Sequence, residues 1–497
     1  MTDVALSDHL TEMGNARRLV LAYHKRLRYV PEMGIWLTWQ ANRWERDRTG
    51  RIDRVAKDVV RQMHEHVAHV EDRTEAEKLS KWAFRSETER QLKAMIAIAK
   101  SEPEVPLVPE QLDADPWLFN CVNGTLDLRT GTLRAHDPGD YITKLSPVAY
   151  DPAATAPTFD AFLTRILGGD PDLIAFVQRA VGCSMAGVTI EHVLLFLFGV
   201  GANGKTTLLN LLIAAFGEYG QQAEAELLMQ RRGESHPTGL AKLKGARLVV
   251  ASEVDEGRKM AEATLKRLTG GDRITARFLY RDFFEFDPTH TVWLAANHRP
   301  IVRGTDVGIW RRIKLVPFNV VIPEPERDPH LGEKLRAELP GILAWAVRGC
   351  LEWQRVGLAA PKAVEAATTD YRNAMDALGG FFEDRCTLDS EGQESASDLY
   401  AAYDEWAKRT GERPMSNRRF GESLQEHDFE RFKHPTTRKW TYRGIRINTG
   451  SETVRNVSPA LSLVNPSCGE VTGDRFGLFR NSEDEEYEKA EREALEA

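Results

Sequence analysis

Gly199-Val200-Gly201-Ala202-Asn203-Gly204-Lys205-Thr206 matches GxxxxGK[ST] at every fixed position. That spacing suits phosphate. Glycines let the backbone curl until successive N–H groups face the β- and γ-phosphates of a nucleotide, and a helix N-terminus after the loop adds free donors and a favourable dipole. Lys205 brings a point charge to the β/γ oxygens, and Thr206 offers a hydroxyl to Mg²⁺. The expected nucleotide-binding set is Gly199, Gly201, Ala202, Asn203, Gly204, Lys205, Thr206 and Thr207, with ATP and Mg²⁺ as ligands.

A loop of this kind needs a second strand that delivers carboxylates to the metal and the attacking water. Arg247–Ser252 (RLVVAS) reads as that strand, and Glu253 closes it, followed by Asp255 and Glu256. Glu253 is the candidate to polarise water, and Asp255 a second choice for an outer metal contact. Ser252 stands where a metal-holding Asp is often seen, which shifts metal ligation toward Thr206. Taken alone, these acids would read as a solvated loop after a core strand. His290–Ala296 (HTVWLAA) is a further apolar strand ending in Asn297. An amide there can orient water or touch the γ-phosphate, although Asn is also a common turn former. In GIWRRIKLVPF, Arg311 and Arg312 offer guanidinium groups that can stabilise charge on a transferring phosphoryl group, often from a neighbouring subunit. Arg312 is favoured, with Arg311 next.

Between Glu253 and Asn297 lies LKRLTGGDRITARFLY, with a Gly270-Gly271-Asp272 turn and then a strand carrying Arg273, Arg277 and Tyr280. Phe278–Phe286 is expected to form a hairpin with Arg281-Asp282 at its tip. Cations mixed with aromatics can grip a nucleic-acid backbone and stack on bases. Lys266, Arg273, Arg277, Tyr280 and Arg281 are therefore DNA-binding candidates. Solvated arginines on a hairpin are the plainer alternative, and Lys266 and Arg277 could instead serve the nucleotide.

The elements that must position these residues are legible. His192–Phe198 is an apolar strand before the loop and Thr206–Phe216 a helical run after it, the strand–loop–helix order that a phosphate loop requires. From 160 to 320, apolar strands alternate with helical segments, as in an α/β domain. The first 100 residues read as mainly helical beyond a hairpin near Ile35–Trp44, and Asn123-Gly124 and Thr130-Gly131 mark turns between short strands. Leu331–Gly357 is helical, restarted after Pro340. Ser395 and Asp398 have capping-box spacing before Leu399, Tyr400, Tyr403 and Trp406. A second helix is expected after Ser416, then a β-ribbon over Phe432–Ile447 turning at Pro435-Thr436-Thr437: helix, helix, ribbon, as in a winged helix.

Composition narrows the class. The chain has 497 residues, 42% hydrophobic and 28% charged, which excludes collagen-like, disulfide-scaffold and wholly disordered proteins. No apolar run approaches the roughly 20 residues of a membrane span, and the N-terminus lacks a signal-peptide pattern, so no membrane partner and a cytoplasmic location in the host cell are expected. The net charge of −8 argues against a generic nucleic-acid coat, yet Ser482–Ala497 alone holds eight acids and two bases. The remainder is near neutral, and Lys408–Arg446 is a basic segment with eleven Lys/Arg against five Asp/Glu. The cysteines, Cys121, Cys183, Cys350, Cys386 and Cys468, have no zinc-site spacing. They read as reduced, core-filling thiols.

Residues 190–320 resemble the superfamily 3 helicase domain of viral and plasmid replication proteins: GVGANGKTT, LVVASEVDEG, LKRLTGGDRITAR, VWLAANHRP and the WRR arginines follow in that family's order. The nearest resemblance is to phage and plasmid primase-helicases related to the poxvirus primase-helicase. WLFNCVNGTLDLRTGTLRAH resembles their region before the helicase, and 380–447 their C-terminal winged-helix module. The resemblance implies an α/β fold with an AAA+-like P-loop NTPase core, an N-terminal α+β domain and a C-terminal winged-helix domain. The expected boundaries are 1–155 for a helicase-associated domain, 156–325 for the ATPase core, 326–379 for a helical extension, 380–450 for the winged helix and 451–497 for an acidic flexible tail. It further implies a hexameric ring translocating 3′→5′ on single-stranded DNA, acting on forked DNA with a separate primase and other replication proteins. Lys205, Glu253, Asn297 and Arg312 carry over as the catalytic set, with Asn297 as sensor and Arg312 as arginine finger; Thr206 and Asp255 are the metal candidates. Many relatives begin with a polymerase-like primase domain. Here no upstream carboxylate pair with a His-bearing strand and no zinc ribbon is seen, so primer synthesis is not expected. A small-molecule phosphotransferase and a non-unwinding ATP-dependent loader or scaffold are the alternatives.

Overall fold

In the computed structural model, which describes residues 9–448 apart from 231–237, 278–281, 303–306, 377, 412–413 and 428, the apolar run after His192 becomes the second strand of a parallel sheet. Its surroundings comprise β1 (Leu194–Phe198), α1 (Lys205–Phe216), β2 (Gly220–Glu224), β3 (Leu248–Ser252), α2 (Glu262–Thr269), β4 (Ile274–Arg277), β5 (Phe283–Phe286), β6 (Thr291–Ala296) and β7 (Ile313–Pro317). The sheet order is β7-β1-β6-β3-β2, with every neighbouring pair parallel. Continuous apolar sequence is what a strand covered on both faces requires, and all six residues of β6 are buried. The pleat divides them. Leu195, Leu197, Val250 and Trp293 join one core with Leu208 and Leu212 of α1. Leu194, Phe196, Val249 and Leu294 join a second with Leu265 and Leu268 of α2.

Antiparallel β4 and β5 form a hairpin, with Arg277 opposite Phe283, whose first strand precedes the expected span Phe278–Phe286. Of the expected tip, Arg281 lies outside the described residues, as does the strand candidate Tyr280.

N-terminal to the core, the hairpin expected near Ile35–Trp44 is the centre of a three-stranded meander, Leu27–Val30, Ile35–Trp39 and Trp44–Arg46. The extra strand, LRYV, is too short for alternation to identify; pairing with Ile35–Trp39 defines it. Helices Glu12–Tyr23, Arg51–Val67, Arg73–Ser86 and Glu89–Ala99 pack around their own core. A second meander, Leu118–Cys121, Gly124–Asp127 and Thr132–Arg134, uses the turns read from Asn123-Gly124 and Thr130-Gly131. Arg247, at the entry to β3, ties it to the core. Its guanidinium donates to Met185 O at 2.8 Å and Leu118 O at 2.7 Å, and lies 4.6 Å from the Tyr219 ring. Fully buried, it has its ionisation held below the ordinary arginine range by desolvation.

After β7 come helices Leu331–Ala337, Leu339–Val356 and Lys362–Met375, with Pro340 in the first turn of the second. Beyond Gly379–Arg385, Ser395 caps Ala396–Thr410 by accepting from Asp398 N, and Ser416 caps Asn417–Glu426 by accepting from Arg419 N. The ribbon Arg431–Lys433 and Trp440–Ile447 gains a third strand, Cys386–Ser395, that the sequence pattern does not announce. SEGQES has little intrinsic strand preference; its partner strand supplies the pairing. Cys121, Cys183, Cys350 and Cys386 are free and buried in these cores. Among the described residues no helix is long and apolar enough to cross a membrane.

Candidate nucleotide site

Register determines what gathers at the carboxyl edge of the sheet. Phe198 of β1 lies beside Ala296 of β6, and Ala295 beside Ser252 of β3. The residues that follow, Gly199, Asn297 and Glu253, therefore emerge side by side, at about 4.8 Å per strand. Chain order places Asn297 last, but the sheet places it next to the phosphate loop.

The loop is braced from behind. Asn203 donates through Nδ2 to Val200 O at 2.5 Å and Phe318 O at 3.2 Å, and Ile322 N donates to Ala202 O at 2.9 Å. A methyl on Gly199 would stand 2.2 Å from Phe318 O, so only glycine lets the loop lie on this segment. Gly204 caps α1 with φ of 83°, and a Cβ there would meet Ile166 at 2.6 Å. Ala202 adopts φ of 60° and Glu253 φ of 69°. Non-glycine residues seldom adopt that conformation without a local reason.

The first helical bond accepted by Gly204 O comes from Leu208 N. The N–H groups of Lys205, Thr206 and Thr207 therefore have no carbonyl within α1 to bond and remain available to an anion. Lys205 is buried, and its Nζ donates to Gly199 O at 2.6 Å, Asn203 Oδ1 at 3.0 Å and Asn297 Oδ1 at 3.0 Å. All three acceptors are neutral, and desolvation pushes the ammonium down to about 8. A buried cation held by neutral dipoles at a curled loop is a fit for phosphate oxygens. The Thr206 side chain is exposed in the first turn of α1. Among the described residues no group of three or more His, Cys, Asp or Glu is arranged to hold a metal. Mg²⁺ at such a site would take most of its oxygens from phosphate and water. Glu253 and Asp255 are both exposed.

The two arginines differ. Arg312 is buried, with Nη1 donating to Gly308 O, and its carbonyl accepts from Leu194 N at the start of β1. Arg311 is exposed. Both sit at the edge opposite the phosphate loop, about 17 Å away along a five-residue strand. Neither reaches this chain's own loop. Of the DNA-binding candidates, Arg273 pairs with Asp287 at 3.2 Å and Glu285 at 3.9 Å, and Lys266 is half-buried on α2. Arg277 is exposed, 4.7 Å from the exposed Phe283 ring.

Arg299 was not singled out from the sequence. Two residues after Asn297, its guanidinium lies 4.5 Å from the Phe198 ring, and its buried Nε has no hydrogen-bond partner among the described residues. Its place in Asn297-His298-Arg299-Pro300 was the available signal.

Residues 16–168 match the family model "D5 N terminal like", 197–312 a family of unknown function (DUF5906), and 373–458 "Poxvirus D5 protein-like". A protein of Acanthamoeba polyphaga mimivirus described as "Putative helicase L207/L206" is 28% identical over 322 residues, covering 60% of this chain and 33% of that protein. One of African swine fever virus described as "Putative primase C962R" is 24% identical over 338 residues, covering 60% and 34%. The chain thus spans about a third of the length of these relatives. A solved structure titled "The A form apo structure of NrS-1 C terminal region-CTR" superposes with a TM-score of 0.49 at 11% identity, covering 84% of this chain and 95% of that one.

Proposed function

We propose that this chain is a D5-type primase-helicase relative whose core is an ATP-driven motor acting on DNA during replication. One observation carries this reading: Lys205 Nζ, at the head of α1, and Asn297 Oδ1, just past the end of β6, meet at 3.0 Å, with Glu253 one strand further along the same edge. The loop amides and Lys205 would hold the β- and γ-phosphates, and Thr206 would ligate Mg²⁺, which supplies charge neutralisation when bound. Glu253 polarises water, and Asn297 orients it. Asp255, exposed and beyond the strand, is at most an outer contact.

Arg311, exposed at the far edge, is the better placed finger for a neighbouring subunit's nucleotide; Arg312, anchored on Gly308 O, positions it. That geometry favours a ring, in which each site is completed by the next copy. Arg277 and Phe283 on the hairpin suit a DNA strand, one through charge and one through stacking. Helix, helix and three-stranded ribbon over residues 386–447 form the winged helix of the proposal, with Arg431 lying 4.6 Å from the half-exposed Trp440 ring.

The test is turnover and strand displacement by the full chain with Mg·ATP and forked DNA. DNA-stimulated hydrolysis with displacement is expected, and Lys205→Ala should abolish both. Hydrolysis that leaves the duplex intact would reduce the proposal to a loader. Turnover that survives Lys205→Ala would sink it.

A further inference from the structure

The helix Arg51–Val67 carries Arg51, Arg54, Lys57 and Arg61, with Asp58 among them, within roughly 120° of arc at about 100° per residue, while Ile52, Val59, Val60 and Met63 are turned into the core. Together with Arg26 and Tyr23 they line an open cleft of about 680 Å³. Five cationic side chains face it and one carboxylate. Arg61 pairs with Asp58. Arg51 donates to Gln40 Oε1 at 3.1 Å, and Arg54 to Thr49 O at 2.8 Å and Oγ1 at 2.9 Å, all neutral acceptors. Asp47, close enough to feel Arg54, spends its oxygens on the N–H groups of Thr49, Arg51 and Ile52. Arg26 and Lys57 are exposed and have no carboxylate partner among the described residues. Like charges gathered around a concavity repel one another, and a polyanion relieves that repulsion.

The geometry points to the phosphodiester backbone of single-stranded DNA as the occupant. Arg51 to Arg61 spans about 15 Å along the helix axis, enough for several phosphates in line. Leu27 and Val55 give the cleft an apolar floor, and Tyr23 offers a ring beside the cations, the pairing of charge and aromatic surface that single strands favour. Duplex DNA presents its phosphates on a convex rod and fits a cleft poorly. This contact rests on the reading of the chain as a DNA motor and adds to it a second grip, remote in sequence from the hairpin and the ribbon.

The experiment is fluorescence anisotropy of the full chain with labelled oligothymidylate of about 20 nucleotides, longer than the site of one small binding fold, titrated with salt. Arg26→Gln with Lys57→Gln removes two cations. At about 0.7 per phosphate contact, the slope of log K against log salt should become shallower by about 1.4, and affinity at about 0.1 M salt should fall about 25-fold. Melting temperature and ADP affinity should be unchanged. Should the double variant melt early, Lys57→Glu alone serves, with a loss at least as large as one contact. An unchanged slope and affinity in a folded variant would overturn the inference. Failure of the wild-type chain to bind the oligonucleotide would instead remove the motor reading on which it rests.

Discussion

Lys205 makes nucleotide binding depend on pH in a way ordinary lysines do not. Its ammonium is buried among Gly199 O, Asn203 Oδ1 and Asn297 Oδ1, with no carboxylate among those partners, and burial pushes it down to about 8. A phosphate at hydrogen-bond distance favours the charged form and raises that value. Binding should therefore take up about half a proton per site at about pH 8. With a value near 8, the charged fraction falls from about nine-tenths at pH 7 to about one-tenth at pH 9, so affinity for Mg·ADP should drop about tenfold. Above about pH 7.5 the nucleotide phosphates are already ionised, so the change belongs to the protein. Calorimetry in two buffers of different ionisation heat measures the uptake directly. Lys205→Arg, whose guanidinium stays charged, should bind more weakly but with no slope. The free protein should respond oppositely: folding releases this proton between about pH 8 and the unfolded value near 10.4, so stability relative to Lys205→Met rises across that window. Flat affinity between pH 7 and 9, with no proton uptake, would refute the argument.

Three further outcomes follow from close contacts. Gly199→Ala drives a methyl to 2.2 Å from Phe318 O, so it should displace the loop and cost at least tenfold in Mg·ADP affinity by calorimetry. Arg311→Ala should spare nucleotide binding and remove DNA-stimulated turnover, whereas Arg312→Ala should lower the melting temperature as well, because it removes a buried side chain held by Gly308 O; equal behaviour of the two in a melting assay would contradict the geometry. Arg247→Leu leaves Met185 O and Leu118 O without their donor, an expected loss of about 2–5 kcal/mol in urea unfolding.

The core was legible because its signals are local and redundant. Glycine spacing, an apolar strand before the loop and a helix after it mark the candidate phosphate site without reference to anything distant. Ser395 and Ser416 marked the starts of two C-terminal helices in the same way. What escaped depends on long-range pairing. Leu27–Val30 and Cys386–Ser395 are strands by virtue of their partners. The burial that separates Arg312 from Arg311 is likewise set by tertiary packing, which two adjacent arginines in a sequence do not reveal. The basic cleft on Arg51–Val67 went unnoticed because near-zero charge over most of the chain conceals a local excess.

The position of β6 between β1 and β3 has a functional consequence. Asn297 is one strand from the loop and already touches Lys205, so its loss should disturb the phosphate site directly. Glu253 is two strands away, about 10 Å at the usual spacing. It is exposed, and at that separation it would act on a bound phosphate through a water molecule rather than by direct contact. Glu253→Gln preserves shape while removing the base. Affinity for Mg·ATP should remain within about twofold and turnover should fall about 10²–10⁴-fold, the usual contribution of a general base. Filter binding and single-turnover hydrolysis separate the two. Because the side chain of Glu253 is exposed, no change in melting temperature is expected. If Glu253→Gln lost affinity and turnover in parallel, Glu253 would be a ligand of the bound nucleotide or metal, and the two-strand separation would not describe the loaded state.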